Sequence, residues 1–177
     1  MAVKPTETKE QLNTETLQPQ QSYVAPNMDS YSTLLSLCDH DIYFALVQGG
    51  DILLKANATR DLLNRDIVSL CNNSNVFFVG TGNGANARIY IQNPELRVYV
   101  GFDSLDGKTK QQVLTDTICQ EIFDIKTQKQ FEKEVNDKII SYHEKVHIMN
   151  YAKKNKLDSF DRISFLEEYT GKKFKEI

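Results

Sequence analysis

Two histidines and a glutamate in the segment His143-Glu144-Lys145-Val146-His147 have the types and spacing of a zinc site. Residues four apart lie on one face of a helix, about one turn from each other. Two imidazoles in that arrangement can bind one zinc ion, and Glu144 can act as the general base that takes a proton from a zinc-bound water. The segment therefore predicts one candidate catalytic residue, Glu144, and two candidate metal ligands, His143 and His147.

This short pattern resembles the HExxH motif of the zincin metallopeptidases. The resemblance implies a zinc-dependent peptidase, with zinc as the cofactor and a third ligand elsewhere in the chain. The sequence departs from the family pattern nearby: Lys145 is charged where zincins usually have an uncharged residue. The extended metzincin pattern would need glycine and histidine where the chain has Asn150 and Lys153. Glu167 or Glu168 could supply a third ligand by position alone.

The residues around the motif favour an amphipathic helix whose polar face is solvated. Apolar residues recur at spacings of three and four from Phe131 to Met149. At about 100° per residue, His143 and His147 fall on the shoulder of this stripe, and Glu144 falls nearly opposite it. We therefore expect a solvated helix without bound zinc, and the peptidase is the alternative interpretation.

Two glycine-containing segments look like phosphate-binding loops but lack the required context. Gly80-Thr81-Gly82-Asn83-Gly84-Ala85 precedes a predicted strand, so no helix N-terminus is available to hold an anion. Gly101-Phe102-Asp103-Ser104-Leu105-Asp106-Gly107 has five residues between its glycines, where a P-loop has four, and two of them are aspartates. We interpret the first segment as a hairpin loop and the second as a turn, with Thr109 capping the helix that follows.

The composition limits the classes of protein to which the chain can belong. It has 177 residues, of which 40% are hydrophobic, enough for one domain with a core. The net charge of −3 argues against a protein that binds nucleic acid by phosphate neutralisation, and we expect no sequence-specific nucleic-acid binding. We recognise no apolar segment long enough to span a membrane and no export signal in the sequence. We therefore expect a cytoplasmic protein that makes no membrane contact. The three cysteines are set among apolar neighbours and predict buried thiols.

Residues 1–28 form a polar segment that we call the arm. It is rich in Thr, Gln, Glu and Lys and contains three prolines. We expect it to be disordered in isolation, because it cannot bury enough apolar surface to offset its ordering entropy. Its few apolar residues are spaced like isolated anchors for a partner: Leu12, Leu17, Tyr23 and Val24.

Residues 29–177 are predicted to form a single α+β domain, of which residues 41–103 are rich in strand signals. A hairpin is expected around Gly49-Gly50, and Thr59 is a candidate helix cap. The predicted strands are Ile42–Val47, Ile52–Leu54, Val76–Val79, Ala87–Ile91 and Leu96–Phe102, with a turn at Asn93-Pro94-Glu95, and the predicted helices are Tyr31–Cys38 and Arg60–Cys71.

Residues 108–172 are predicted to be helical. One apolar stripe contains Leu114 and Ile122, and Thr127 with Gln130 resembles a capping box that opens a longer helix through Met149. A third helix should begin at Asp158 and end at Gly171. The sequence thus predicts a mainly antiparallel sheet packed with C-terminal helices and preceded by the extended arm.

These patterns favour a non-enzymatic structural or interaction protein. An arm that becomes ordered on a partner subunit is typical of small domains in large assemblies. The bias toward Asn, Lys, Ile and Asp suits a bacteriophage virion component, from the capsid, neck or tail. We expect protein subunits as partners in a homo- or hetero-oligomeric assembly, no cofactor, and a location in the cytoplasm or in a virion.

Overall fold

The computed structural model describes residues 25–175. Antiparallel sheets and several helices make up these residues, which confirms the predicted α+β class. The arm residues Leu12, Leu17, Tyr23 and Val24 lie outside the described part of the chain. The elements are β1 (Tyr31–Ser36), β2 (Ile42–Ala45), β3 (Asp51–Leu54), β4 (Thr59–Leu63), α1 (Asn64–Asn72), α2 (Val76–Val79), β5 (Ile89–Ile91), α3 (Pro94–Tyr99), α4 (Asp116–Phe123), α5 (Gln128–Lys138), α6 (Tyr142–Lys154) and α7 (Phe160–Thr170).

Three of the strands form one antiparallel sheet in the order β4-β1-β5. In the central strand, Leu34 lies opposite Arg60 of β4 and Ile91 of β5. The other two strands, β2 and β3, form a separate hairpin, in which Phe44 lies opposite Ile52. The predictions of this hairpin and of a strand ending at Ile91 are confirmed.

The prediction of a helix at Tyr31–Cys38 is wrong, because this segment contains β1. Its leucines fit a helical spacing, but every second residue of the strand, beginning at Ser32, is buried. The Ser32 hydroxyl donates to Asn64 Oδ1 over 2.5 Å. Since a buried hydroxyl with a partner is tolerated, serine occupies core-facing positions and hides the two-residue period.

The predicted helix Arg60–Cys71 begins too early in the chain. Thr59 does not cap it but pairs with Leu35 across the sheet, and α1 starts at Asn64. The Asn64 side chain is buried, and its Nδ2 donates to the carbonyl oxygen of Asn27 over 2.6 Å. This bond attaches the residues just before β1 to the start of α1.

Two predicted strands are wrong: Val76–Val79 forms α2, and Leu96–Phe102 overlaps α3. The predicted turn at Asn93-Pro94-Glu95 is also wrong, because these residues are the N-cap and the first residues of α3. Both helices begin at an asparagine whose side-chain oxygen accepts a backbone N–H. Asn75 Oδ1 accepts from Phe77, and Asn93 Oδ1 accepts from Glu95, each over 3.0 Å. The capping hydrogen bonds favour a helix more strongly than the β-branched and aromatic residues of these short apolar runs favour a strand.

The long helix predicted through Met149 is divided into α5 and α6. The chain leaves helical geometry at Ile139, a buried residue, and re-enters it after Ser141, the N-cap of α6. Thr127 precedes α5 but makes no side-chain capping bond. The predicted stop at Gly171 is confirmed, because this residue ends α7 with a φ of 68°.

Two large hydrophobic clusters form the core. One contains Leu34 and Phe78 and lies among the strands and the first three helices, and the other contains Phe131 and Met149 and lies among α4–α7. Leu37, Ala87 and Val113 form a small third cluster. Over residues 25–175, the structure has no helix that is both long and apolar enough to cross a membrane. The prediction of buried thiols is confirmed for all three cysteines, Cys38, Cys71 and Cys119.

Candidate functional site

A groove of about 1040 Å³ is lined by residues from the strand-rich part and from the helical part of the fold. The first part contributes Leu35, Leu37 and Tyr90, among others. The second part contributes residues of α4 and α6, including His143 and His147. We call this feature the central groove, and it brings both predicted histidines to one surface.

Glu144 is almost fully buried, with 1% of its surface exposed, so the predicted solvated position is wrong. Its Oε2 accepts the backbone N–H groups of Ile140 and Ser141, each over 2.9 Å. Its Oε1 accepts Asn86 Nδ2 over 3.0 Å. The carboxylate therefore caps α6 in a capping box and connects that helix to the loop before β5.

His143 is also buried, with 7% of its surface exposed. Its Nδ1 lies 2.9 Å from the hydroxyl of Ser141. Burial lowers the pKa of His143, while the Glu144 carboxylate and a hydrogen bond with the Ala87 backbone oppose that shift. The ring connects the first turn of α6 to the chain just before β5, which is a structural role.

His147 lies one turn further along α6, and its Nε2 is 3.0 Å from Asp116 Oδ1. The two atoms are within ion-pair distance, and the carboxylate favours the protonated ring. Lys154 Nζ lies 3.8 Å from the other oxygen of Asp116. Burial lowers the pKa of His147, and the Asp116 carboxylate opposes the shift.

The Glu144 side chain of the motif is already held by hydrogen bonds within the protein. Both oxygens of Glu144 point to N–H donors, so neither is directed at a metal-bound water. Over residues 25–175, no group of three or more His, Cys, Asp or Glu side chains is arranged to hold a metal ion. Of the two glutamates considered as a third ligand, Glu167 accepts the backbone N–H of Phe174 and Glu168 is exposed.

An ion pair that the sequence did not single out fixes the opposite side of the groove. Arg97 Nε lies 2.8 Å from Asp103 Oδ2, and both side chains are nearly buried. The guanidinium group also donates to the carbonyl oxygen of Ile91 over 2.7 Å and lies 4.9 Å from the centre of the Tyr90 ring. The only sequence signal was an arginine inside an apolar segment with an aspartate shortly after it.

Asp103 and the residues after it form a closed turn. The other oxygen of Asp103 accepts the backbone N–H of Gln111 over 2.8 Å. Asp106 accepts the Ser104 hydroxyl over 2.6 Å, which confirms the predicted turn at this position. The predicted capping role of Thr109 is wrong, because α4 begins later, where the Thr115 side chain accepts the N–H of Ile118.

In the glycine-rich loop before β5, backbone N–H groups donate to nearby carbonyl oxygens of the chain. The N–H groups of Thr81 and Gly84 donate to Ala85 and Val79 carbonyl oxygens, over 2.8 and 3.1 Å. A Cβ on Gly80 would lie 2.0 Å from the Ala85 oxygen. The loop connects α2 to β5, so the hairpin interpretation is wrong, and these N–H groups are not available to a phosphate.

One buried polar atom of the groove lining, Gln111 Oε1, lacks a hydrogen-bond partner within the described residues. Gln111 is 7% exposed, and its amide nitrogen donates to the carbonyl oxygen of Gly84 over 3.2 Å. Buried polar atoms are almost always paired in native structures. Gln111 Oε1 is itself shielded from solvent, so it is an exception in the packing beside the groove.

No protein-family model matches the chain, and the comparisons with curated proteins and with solved structures also give no match.

Proposed function

We propose that the protein is a non-enzymatic interaction subunit of a larger protein assembly and that its central groove receives a peptide segment of a partner subunit. The observation that carries this proposal is the groove itself, with its partly apolar lining. The bias toward Asn, Lys, Ile and Asp favours a bacteriophage capsid, neck or tail as the assembly. The protein would then be located in the virion and would assemble in the cytoplasm.

The groove has the chemistry of a peptide site. Its volume, about 1040 Å³, is at the upper end of the range of about 300–1,000 Å³ for small-molecule sites. Its lining alternates apolar side chains, such as Leu35 and Ile118, with amides and hydroxyls, such as Gln92 and Thr117. A peptide can satisfy such a surface because its main chain both donates and accepts hydrogen bonds while isolated side chains enter apolar pockets.

Two charged groups at or beside the groove hold the fold. Glu144 caps α6, and Arg97 pairs with Asp103. A catalytic acid or base must be within reach of the substrate proton that it transfers. The contacts of these groups support a structural role, and we propose the same for the His143-Glu144-x-x-His147 motif in place of a zinc-dependent peptidase.

A substitution at the groove rim tests the proposal. Thr117 is exposed and lines the groove, so Thr117→Arg should fill the opening without removing a core contact. In extracts of the source cells, the full chain should elute from a sizing column in a large complex, and the Thr117→Arg chain should elute as free protein. Gln130→Arg places the same side chain on the exposed face of α5, outside the groove, and should behave like the unsubstituted chain. A Thr117→Arg chain that still enters the complex would contradict the proposal.

A further inference from the structure

We infer that two rigid halves of the described chain, residues 25–112 and residues 116–175, rotate against each other about a hinge at residues 113–115 and thereby change the width of the central groove. We call them the strand half and the helical half. This motion is a property of the chain itself and does not depend on what the groove binds.

The hydrophobic core is divided between the two halves. One large cluster contains residues from Leu34 to Phe102, the other contains residues from Leu114 to Phe174, and the two share no member. Extensive packing between elements also stays within one half: β1 packs against β4 and β5, and α6 packs against α4 and α7. Each half therefore has a core of its own and can keep its shape while the other half moves.

The contacts that join the halves are small and mostly polar. Asn86 Nδ2 donates to Glu144 Oε1 over 3.0 Å, and His143 forms a hydrogen bond with the backbone of Ala87. A small apolar cluster around Val113 lies at the same boundary. Among residues 25–175, no salt bridge connects the strand half to the helical half. Relative motion is the default for two units whose interface is neither large nor strongly hydrophobic.

The central groove occupies much of the boundary between the halves. Leu35 and Tyr90 line it from the strand half, and Ile118 and Tyr151 line it from the helical half. The two halves face each other across about 1040 Å³ of open volume. A rotation that widens or narrows this space does not have to break a packed apolar surface.

The position of the hinge follows from the bonds on either side of it. The N–H of Asn86 donates to the carbonyl oxygen of Gln112 over 2.8 Å, which attaches the chain to the strand half up to that residue. Thr115 is the N-cap of α4, and its side chain accepts the N–H of Ile118. Residues 113–115 lie between these two fixed points and outside the helices and strands. Hinges are typically a few residues in a loop or at the end of an element.

Distances between pairs of spin labels on the full chain test the inference. The labels are attached through Tyr43→Cys and Asn72→Cys in the strand half and through Lys133→Cys and Ser164→Cys in the helical half. All four positions are exposed, and the native cysteines are buried. Pairs that cross the boundary, such as 72 with 133 and 43 with 164, should give distance distributions about twofold wider than the pairs 43 with 72 and 133 with 164.

A variant that breaks the contact between the halves gives a second measurement. Asn86→Asp keeps the side-chain oxygen that accepts the Thr81 hydroxyl, and aspartate tolerates the positive φ of 54° at this position. It replaces the amide donor with a carboxylate that repels Glu144. The distributions across the boundary should shift, and those within each half should stay unchanged. Asn83→Asp makes the same change in the same loop, at an exposed residue with a φ of 48°, and should shift none of them.

Three outcomes would overturn the inference. The distributions across the boundary could be as narrow as those within each half, a folded Asn86→Asp chain could leave them unshifted, or all four distributions could widen together, which would indicate unfolding within the halves. If circular dichroism shows that Asn86→Asp does not fold, the widths in the unsubstituted chain still decide the question. Entry of the chain into its native complex is measured separately, so this inference and the proposed function fail independently.

Discussion

Asn86 Nδ2 donates to Glu144 Oε1 over 3.0 Å, and this bond joins two residues that are 58 positions apart in the chain. Asn86 has a positive φ of 54°, and its own Oδ1 accepts the hydroxyl of Thr81. The glycine-rich loop and the start of α6 are thereby held together. The glutamate that a zincin would use for catalysis is part of the contact between the two halves of this fold.

Removal of the Glu144 carboxylate should destabilise the protein. Glu144→Ala leaves the N–H groups of Ile140 and Ser141 and the amide of Asn86 without their acceptor, at a cost of about 1–3 kcal/mol in the free energy of unfolding. Chemical denaturation would measure this change. Glu168→Ala, at an exposed position on α7, is the matched control and should stay within about 0.5 kcal/mol of the parent protein. Equal stability of the two variants would show that the buried cap contributes nothing.

Zinc content separates the structural role of the motif from the peptidase alternative. We expect well under one zinc per chain in purified protein, and a melting temperature that a chelator does not change. His143→Ala should lower the melting temperature with or without zinc, because His143 is buried beside Ser141. One zinc per chain that is lost on His147→Ala would restore the peptidase as the better interpretation.

The buried histidines should make stability depend on pH. The pKa values of His143 and His147 are lowered from 6.5, so the unfolded chain takes up protons first as the pH falls. The free energy of unfolding should therefore decrease as the pH falls below about 6.5, before the carboxylates titrate near pH 4. The facing charges are Glu144 and Arg88 at His143, and Asp116 and Lys154 at His147.

Melting temperatures measured between pH 7 and pH 5 would check this dependence. His143→Gln and His147→Gln should each reduce the slope, since glutamine does not titrate. A slope that survives in the double variant of His143 and His147 would assign the pH dependence to other groups.

Limited proteolysis should yield a stable fragment that begins close to residue 25. The sequence placed the end of the arm at residue 28, but Asn27 and Met28 accept hydrogen bonds from Asn64 and Arg65. Cleavage after Met28 would remove these acceptors, so protection should extend to the residues before them. Mass spectrometry of the fragment would locate its first residue. Protection of residues 1–24 in the free monomer would weaken the case for a partner.

The sequence predicted the fold class and the helical end of the chain better than the strand-rich part. Long apolar periods identified α4 and α7, because packing of one helix face repeats along the sequence. Short apolar runs such as Val76–Val79 have no such period, and their structure was decided by a single cap at Asn75. In β1, buried serines masked the alternation that marks a strand. The division between α5 and α6 depends on Glu144, whose carboxylate closes the capping box at Ser141.

The candidate site was predicted in part. Helical spacing placed His143 and His147 on one face, and the structure brings both to the central groove. The burial of Glu144 depends on a loop far away in the chain, and the environment of Gln111 depends on Gly84. Contacts between residues this distant in sequence leave no local pattern, so one sequence alone could not predict the groove.

Deletion of residues 1–24 tests the central claim most directly. The remaining chain retains every described element, so its circular dichroism spectrum and melting temperature should be close to those of the full chain. Quantitative mass spectrometry of the purified native complex should then find the full-length protein incorporated and the truncated protein absent. A truncated protein that folds and still enters the complex at the normal level would contradict the account, because residues 1–24 would then make no contact that assembly requires.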